Sequence, residues 1–160
     1  MTDFSEAAYQ SQLATKVVRL KNLLAPFTHD EPQAFQSPRQ HYRLRAEFRI
    51  WHQGNEPFYA MFNPGDKKNP ILMEQFPVAS EKINALMPKL KQAWMECEEL
   101  SHRLFQAEFL TTLSGDALVT LCYHRPLAEA WLEHAQQLAQ RLNISVVGLS
   151  RGQRLVVGQD

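Results

Sequence analysis

The sequence predicts an α+β fold: an antiparallel sheet built from successive hairpins, with helices packed on one of its faces. Three observations predict it. Residues 42–51 alternate apolar and polar side chains, the period of a half-buried strand. Later strand-like runs come in pairs joined by short glycine turns, and short connections make antiparallel pairs. Between the pairs lie stretches whose apolar residues recur every three or four positions, the period of helices that cover a sheet.

Element by element, residues 5–25 read as a helix, with Tyr9, Leu13, Val17, Leu20 and Leu24 forming one stripe and Pro26 ending it. From Pro26 to Pro38 the chain has no apolar period and reads as a loop or extended arm. The strand Tyr42–Trp51 follows. Gly54-Asn55 turns the chain into Phe58–Phe62. Asn63-Pro64-Gly65-Asp66 turns it again, with Lys67 and Lys68 near the tip, into Ile71–Phe76. Ser80 is placed to cap a helix whose inner face carries Ile83, Leu86, Met87, Leu90 and Trp94. Pro88 inside it predicts a kink or two short helices. A hairpin, Phe105–Leu113 and Ala117–Tyr123, turns at Ser114-Gly115-Asp116. A helix over Leu127–Leu142 and a last pair, Ile144–Leu149 and Leu155–Val157 around Arg151-Gly152, complete the pattern. The chain stops just after that last strand, which suggests a piece of something longer.

Composition narrows the function. The 160 residues are 44% hydrophobic, enough for one domain with its own core. Lys+Arg and Asp+Glu both number 17, so any nucleic-acid binding must come from a local basic field. The two cysteines, Cys97 and Cys122, have neither zinc nor disulfide spacing and suit a reducing cytoplasm. A signal peptide is not expected from the polar, acidic MTDFSEAAYQ, and no membrane-spanning run or metal-ligand spacing stands out. GxGxxG, GxxxxGK[ST], GxSxG and HExxH are all absent. Cys97 sits among Glu96, Glu98 and Glu99, which disfavour a thiolate, and Cys122 lies in an apolar strand. No nucleophile and base pair stands out.

The polar face of the first strand does stand out. Arg43, Arg45, Glu47 and Arg49 occupy alternate positions, about 6.6 Å apart on one face. Such a row can meet successive phosphates, which arginine grips with a planar fork. Trp51 continues the face as a stacking surface. The residues alone favour a plainer reading, a solvated face paired through Glu47. Phe105 opens a strand after His102-Arg103 and could stack on a base, although its alternation with Phe109 and Leu113 favours the core. His124, at a strand end, can donate to a phosphate or a base edge, or cap a turn.

Four segments carry a resemblance: YQSQLATKVVRLKNLLAPF, SPRQHYRLRAEFRIWH, FPVASEKINALM and LFQAEFLTTLSGDALVTLCYH. In this order and spacing, the chain resembles the N-terminal half of the bacterial tRNA (uracil-5-)-methyltransferase family. The resemblance implies that residues 1–160 are one RNA-binding domain that grips the tRNA T-arm. It implies a parent enzyme that methylates carbon 5 of a T-loop uridine with S-adenosyl-L-methionine. In the family, a cysteine thiolate adds to carbon 6 and a glutamate removes the carbon 5 proton. Both residues, and the methyl-donor site, lie C-terminal to the region matched here, so this chain alone is expected to be inactive. The CxxxxxCxxC iron–sulfur ligands of the related ribosomal RNA enzymes are missing, so neither cluster nor metal is expected. By residue match, Arg49 contacts RNA backbone, Phe105 stacks in the T-loop and His124 helps to hold it. Arg43, Arg45 and Tyr42 are further candidates. The expected partners are tRNA and the C-terminal catalytic domain, in a cytoplasmic monomer away from membranes. The rival reading is a non-catalytic protein-interaction or general RNA-binding module that uses the open sheet face.

Overall fold

The computed structural model describes residues 5–66 and 68–158; Lys67, expected near a turn tip, lies outside them. Helix α1 spans Glu6–Leu24 and is capped by Ser5, whose side chain accepts from the Ala8 amide. Strands β1 (Arg45–Gln53), β2 (Glu56–Met61) and β3 (Ile71–Met73) follow. Next come α2 (Glu81–Glu96), the short α3 (Glu98–Ser101), and strands β4 (Leu104–Thr111) and β5 (Ala117–Tyr123). Helix α4 (Glu129–Leu142) leads to β6 (Ser145–Ser150) and β7 (Gln153–Val157). The seven strands form one sheet in the order β3-β2-β1-β4-β5-β6-β7.

The α+β fold is as expected, and one pairing differs from a wholly antiparallel sheet. β5 and β6 run parallel, with Thr120 beside Val147 and Cys122 beside Leu149. The reason is α4: a helical crossover carries the chain back to the starting edge, so the next strand runs in the same direction. The other neighbours are antiparallel.

Helices α2, α3 and α4 cover one face and the core lies beneath them. Phe48 is central, with its ring 5.3 Å from Tyr59 and 5.9 Å from Phe109, both edge-on. Trp94 of α2 adds a tilted contact to Tyr59 at 5.2 Å. Under α4, Trp131 packs edge-on against Tyr123 at 5.9 Å. Gly148 makes room for it, since a β-carbon there would lie 2.3 Å from the indole.

Helix α2 runs unbroken through Pro88, so the two short helices expected as one outcome do not form. Proline removes only one amide from the ladder, and Pro88 faces solvent. The buried Tyr59 hydroxyl donates to the Met87 carbonyl at 2.9 Å on the other side of the helix. β3 is shorter than expected, because after Met73 the chain leaves the sheet to meet Asn84. The Asn84 side chain accepts from the Phe76 amide at 2.8 Å and donates to the Phe76 carbonyl at 3.0 Å.

Candidate nucleic-acid interface

Alternation along β1 does sort its side chains as the sequence requires. Ala46, Phe48 and Ile50 are buried, while Arg45, Glu47 and Arg49 face outward. Cross-strand register then decides what each outward residue meets. Glu47 stands directly opposite Glu108 of β4, two like charges that need a counter-ion. Arg45 supplies it, binding Glu47 and reaching the Glu108 carboxylate at 3.4 Å. Gln106 also donates to Glu108, at 2.7 Å.

Arg43 and Tyr42 precede β1. The Arg43 backbone bridges to the segment before α2: its amide donates to Val78 and its carbonyl accepts from Ser80. Both side chains are exposed. They sit six or more residues from Arg49, about 20 Å along an extended chain. The structure therefore splits the sequence-selected residues into two groups, with Tyr42, Arg43 and Arg45 toward one end of β1 and Arg49 toward the other.

At that other end, Arg49, Phe105 and His124 come together. The Phe105 and His124 rings stack face to face, with centroids 3.9 Å apart and planes 11° from parallel. The Arg49 guanidinium lies 5.6 Å from the Phe105 centroid. Phe105 escapes the core because of a β-bulge. Leu104 pairs with Tyr123 and Gln106 with Cys122, which leaves Phe105 as the extra residue. Leu104 and Phe109 are buried, and Phe105 is only partly so. The core reading that alternation favours for Phe105 therefore fails.

Several groups that sequence reasoning passed over hold this corner. The His52 ring nitrogen Nε2 donates to the Leu104 carbonyl at 2.7 Å, pinning the bulge from β1. Arg103 adopts φ 56°, and its carbonyl accepts from the His124 amide at 3.0 Å. Arg125 donates to the Glu99 carboxylate at 2.7 Å and to the His102 carbonyl at 3.0 Å, locking the loop after β5 to α3. Ser150 donates to the Arg125 carbonyl at 2.5 Å. None of these contacts follows a sequence period, so no local pattern pointed to them.

The Cys122 thiol, paired with Gln106 on the outward face, is not activated. Burial, reinforced by the Glu108 charge, pushes the Cys122 thiol up to about 11. At neutral pH it is no nucleophile. Among the described residues no cluster of three or more His, Cys, Asp or Glu side chains could hold a metal, and no helix is long and apolar enough to cross a membrane. The connection from β5 to α4 reads HRPLA, without the glycine that lets backbone approach a nucleotide cofactor at such a crossover.

A seven-stranded sheet covered by helices on one face, with a stacked ring pair and a guanidinium at one corner, defines an α+β domain, and comparison with known proteins agrees with the fold. A crystal structure of Pyrococcus abyssi tRNA (uracil-54, C5)-methyltransferase with S-adenosyl-L-homocysteine superposes with a TM-score of 0.59. It covers 94% of this chain and 37% of that one, at 15% sequence identity. A sequence profile described as tRNA (Uracil-5-)-methyltransferase matches residues 8–160, and the chain belongs to that family. It is 60% identical over 157 residues to a tRNA/tmRNA (uracil-C(5))-methyltransferase of Pseudomonas entomophila, covering 98% of this chain and 44% of the relative. For the Azotobacter vinelandii protein of the same description the identity is 61%, covering 98% and 43%. The chain thus spans less than half the length of these curated relatives.

Proposed function

We propose that this chain is the tRNA T-arm recognition domain of an S-adenosyl-L-methionine-dependent tRNA (uracil-5-)-methyltransferase. The observation that carries the reading is the corner formed by Arg49, Phe105 and His124. A stacked pair of a partly exposed Phe105 and an exposed His124 gives an unpaired base a flat partner, and the guanidinium beside it gives the adjoining phosphate a fork. Holding both before binding reduces the ordering entropy lost on contact. Family membership supplies the substrate class, and the residue match supplies the loop.

In the parent protein, S-adenosyl-L-methionine supplies an electrophilic methyl group. The residues of this chain bind and orient the RNA so that a T-loop uridine, once out of its stack, meets that group. Methyl transfer belongs to sequence beyond the matched region, and this chain alone transfers none.

The test is fluorescence anisotropy with a synthetic T-arm stem–loop, titrated across salt concentrations. Arg49→Ala is expected to lower the slope of log K against log salt by about one phosphate's worth. Phe105→Ala is expected to cost about 1–3 kcal/mol of binding. Equal affinity for the same stem closed by an unrelated loop would remove the T-loop from the reading. Wild-type binding to neither RNA would remove the reading itself.

A further inference from the structure

We infer that the bound RNA crosses the strands instead of following β1, and that Arg151 and Arg154 form its second anchor. The inference rests on the T-arm reading above and extends it to residues on the far side of the sheet. Directly paired residues share a face, so the register lays out the open face in rows. One row runs Arg49, Gln106, Cys122, Leu149, Arg154. It places two guanidiniums on the same face, four strand spacings or about 19 Å apart. The next row runs Glu47, Glu108, Thr120, Val147, Val156. Its two opposed carboxylates share the single guanidinium of Arg45, and a net negative site repels phosphates. A polyanion that followed β1 from Arg49 toward Arg43 would pass over it. One that followed the first row would meet cations at both ends.

The far anchor is built as firmly as the near one. Arg151 sits in the β6–β7 turn, and Arg154 is the second residue of β7. Both are exposed, and neither forms a hydrogen bond or ion pair among the described residues. Their hairpin is tied to the segment that carries His124. Ser150 donates to the Arg125 carbonyl at 2.5 Å. The Gln153 side chain accepts from the Leu127 amide at 2.9 Å and donates to the Leu127 carbonyl at 3.2 Å. The two arginines thus hold a fixed offset from the stacked rings, which suits a folded stem–loop backbone better than a short or flexible anion.

The experiment measures binding of the whole chain to the T-arm stem–loop by anisotropy at several salt concentrations, comparing wild type, Arg49→Ala, Arg43→Gln and the double variant Arg151→Gln/Arg154→Gln. All the substituted side chains are exposed, and circular dichroism checks each fold. The double variant is expected to weaken binding at least fivefold and to lower the salt slope by about two. Arg43→Gln is expected to change the slope by less than half a unit. Wild-type slope and affinity in the double variant, with Arg49→Ala impaired, overturn the cross-strand path and leave the T-arm reading standing. A full unit lost at Arg43 with none at the double variant places the RNA along β1 and overturns the inference. Absence of wild-type binding overturns both.

Discussion

Phe105 and Phe109 lie four residues apart on β4, and the bulge gives them opposite environments. Without it, period-two alternation would put both rings in the core, which is why alternation alone misreads Phe105. The residue match to the family picks out the three residues that converge, but the stacking of Phe105 on His124 depends on a register shift that no local pattern encodes. The two rings also allow the role of His124 to be separated into stacking and hydrogen bonding. His124→Ala removes the ring stacked on Phe105 and is expected to weaken stem–loop binding by about 0.5–1.5 kcal/mol, the worth of an aromatic pair. His124→Phe keeps the platform and is expected to restore binding. If binding stays weak in the phenylalanine variant, the imidazole donates to the RNA directly.

At the scale of elements, strand positions were legible because apolar alternation and glycine turns are local signals. The direction of β6 relative to β5 was not, because it depends on the path of α4 over the sheet. That path depends in turn on one close approach. Trp131 of α4 rests on Gly148 of β6, with Leu127 beside it. A β-carbon at position 148 would lie 2.3 Å from the indole and 2.7 Å from a Leu127 methyl, both in the packed interior. Gly148→Ala is therefore expected to destabilise by about 1–3 kcal/mol, the usual cost of overpacking. Urea unfolding followed by tryptophan fluorescence checks it, and an unchanged midpoint would mean that α4 lifts without cost. The loop that carries His124 leads into α4, so a lifted α4 should weaken RNA binding as well.

On the scale of the whole molecule, the described structure divides into a packed sheet-and-helix body and a lightly attached N-terminal helix. The apolar stripe of α1 was legible, but no α1 residue is buried, and Leu23, Phe27 and Phe35 are 69%, 85% and 83% exposed. Among its ties are the Tyr9 hydroxyl donating to the Ser37 carbonyl and an ion pair between Glu6 and Arg39. Removing residues 1–38 is accordingly expected to move the melting midpoint by no more than about 2–4 °C, the equivalent of 1 kcal/mol. The body, by contrast, carries a proton linkage of its own. Burial raises the phenols of Tyr59 and Tyr123 and the thiol of Cys122 above their ordinary values. Folding therefore retains protons that the unfolded chain releases above about pH 8.5–10. Since the native state then binds more protons, stability is full at neutral pH and falls as pH climbs from those ordinary values toward the raised native ones. Tyr59→Phe costs about 1 kcal/mol at pH 7 through the lost bond to the Met87 carbonyl, and removes one of the three groups. Combined with Cys122→Ala, it is expected to flatten the decline of melting temperature between pH 8 and pH 10.5. A double variant as alkali-sensitive as the wild type would place the linkage in Tyr123 or in the unfolded chain.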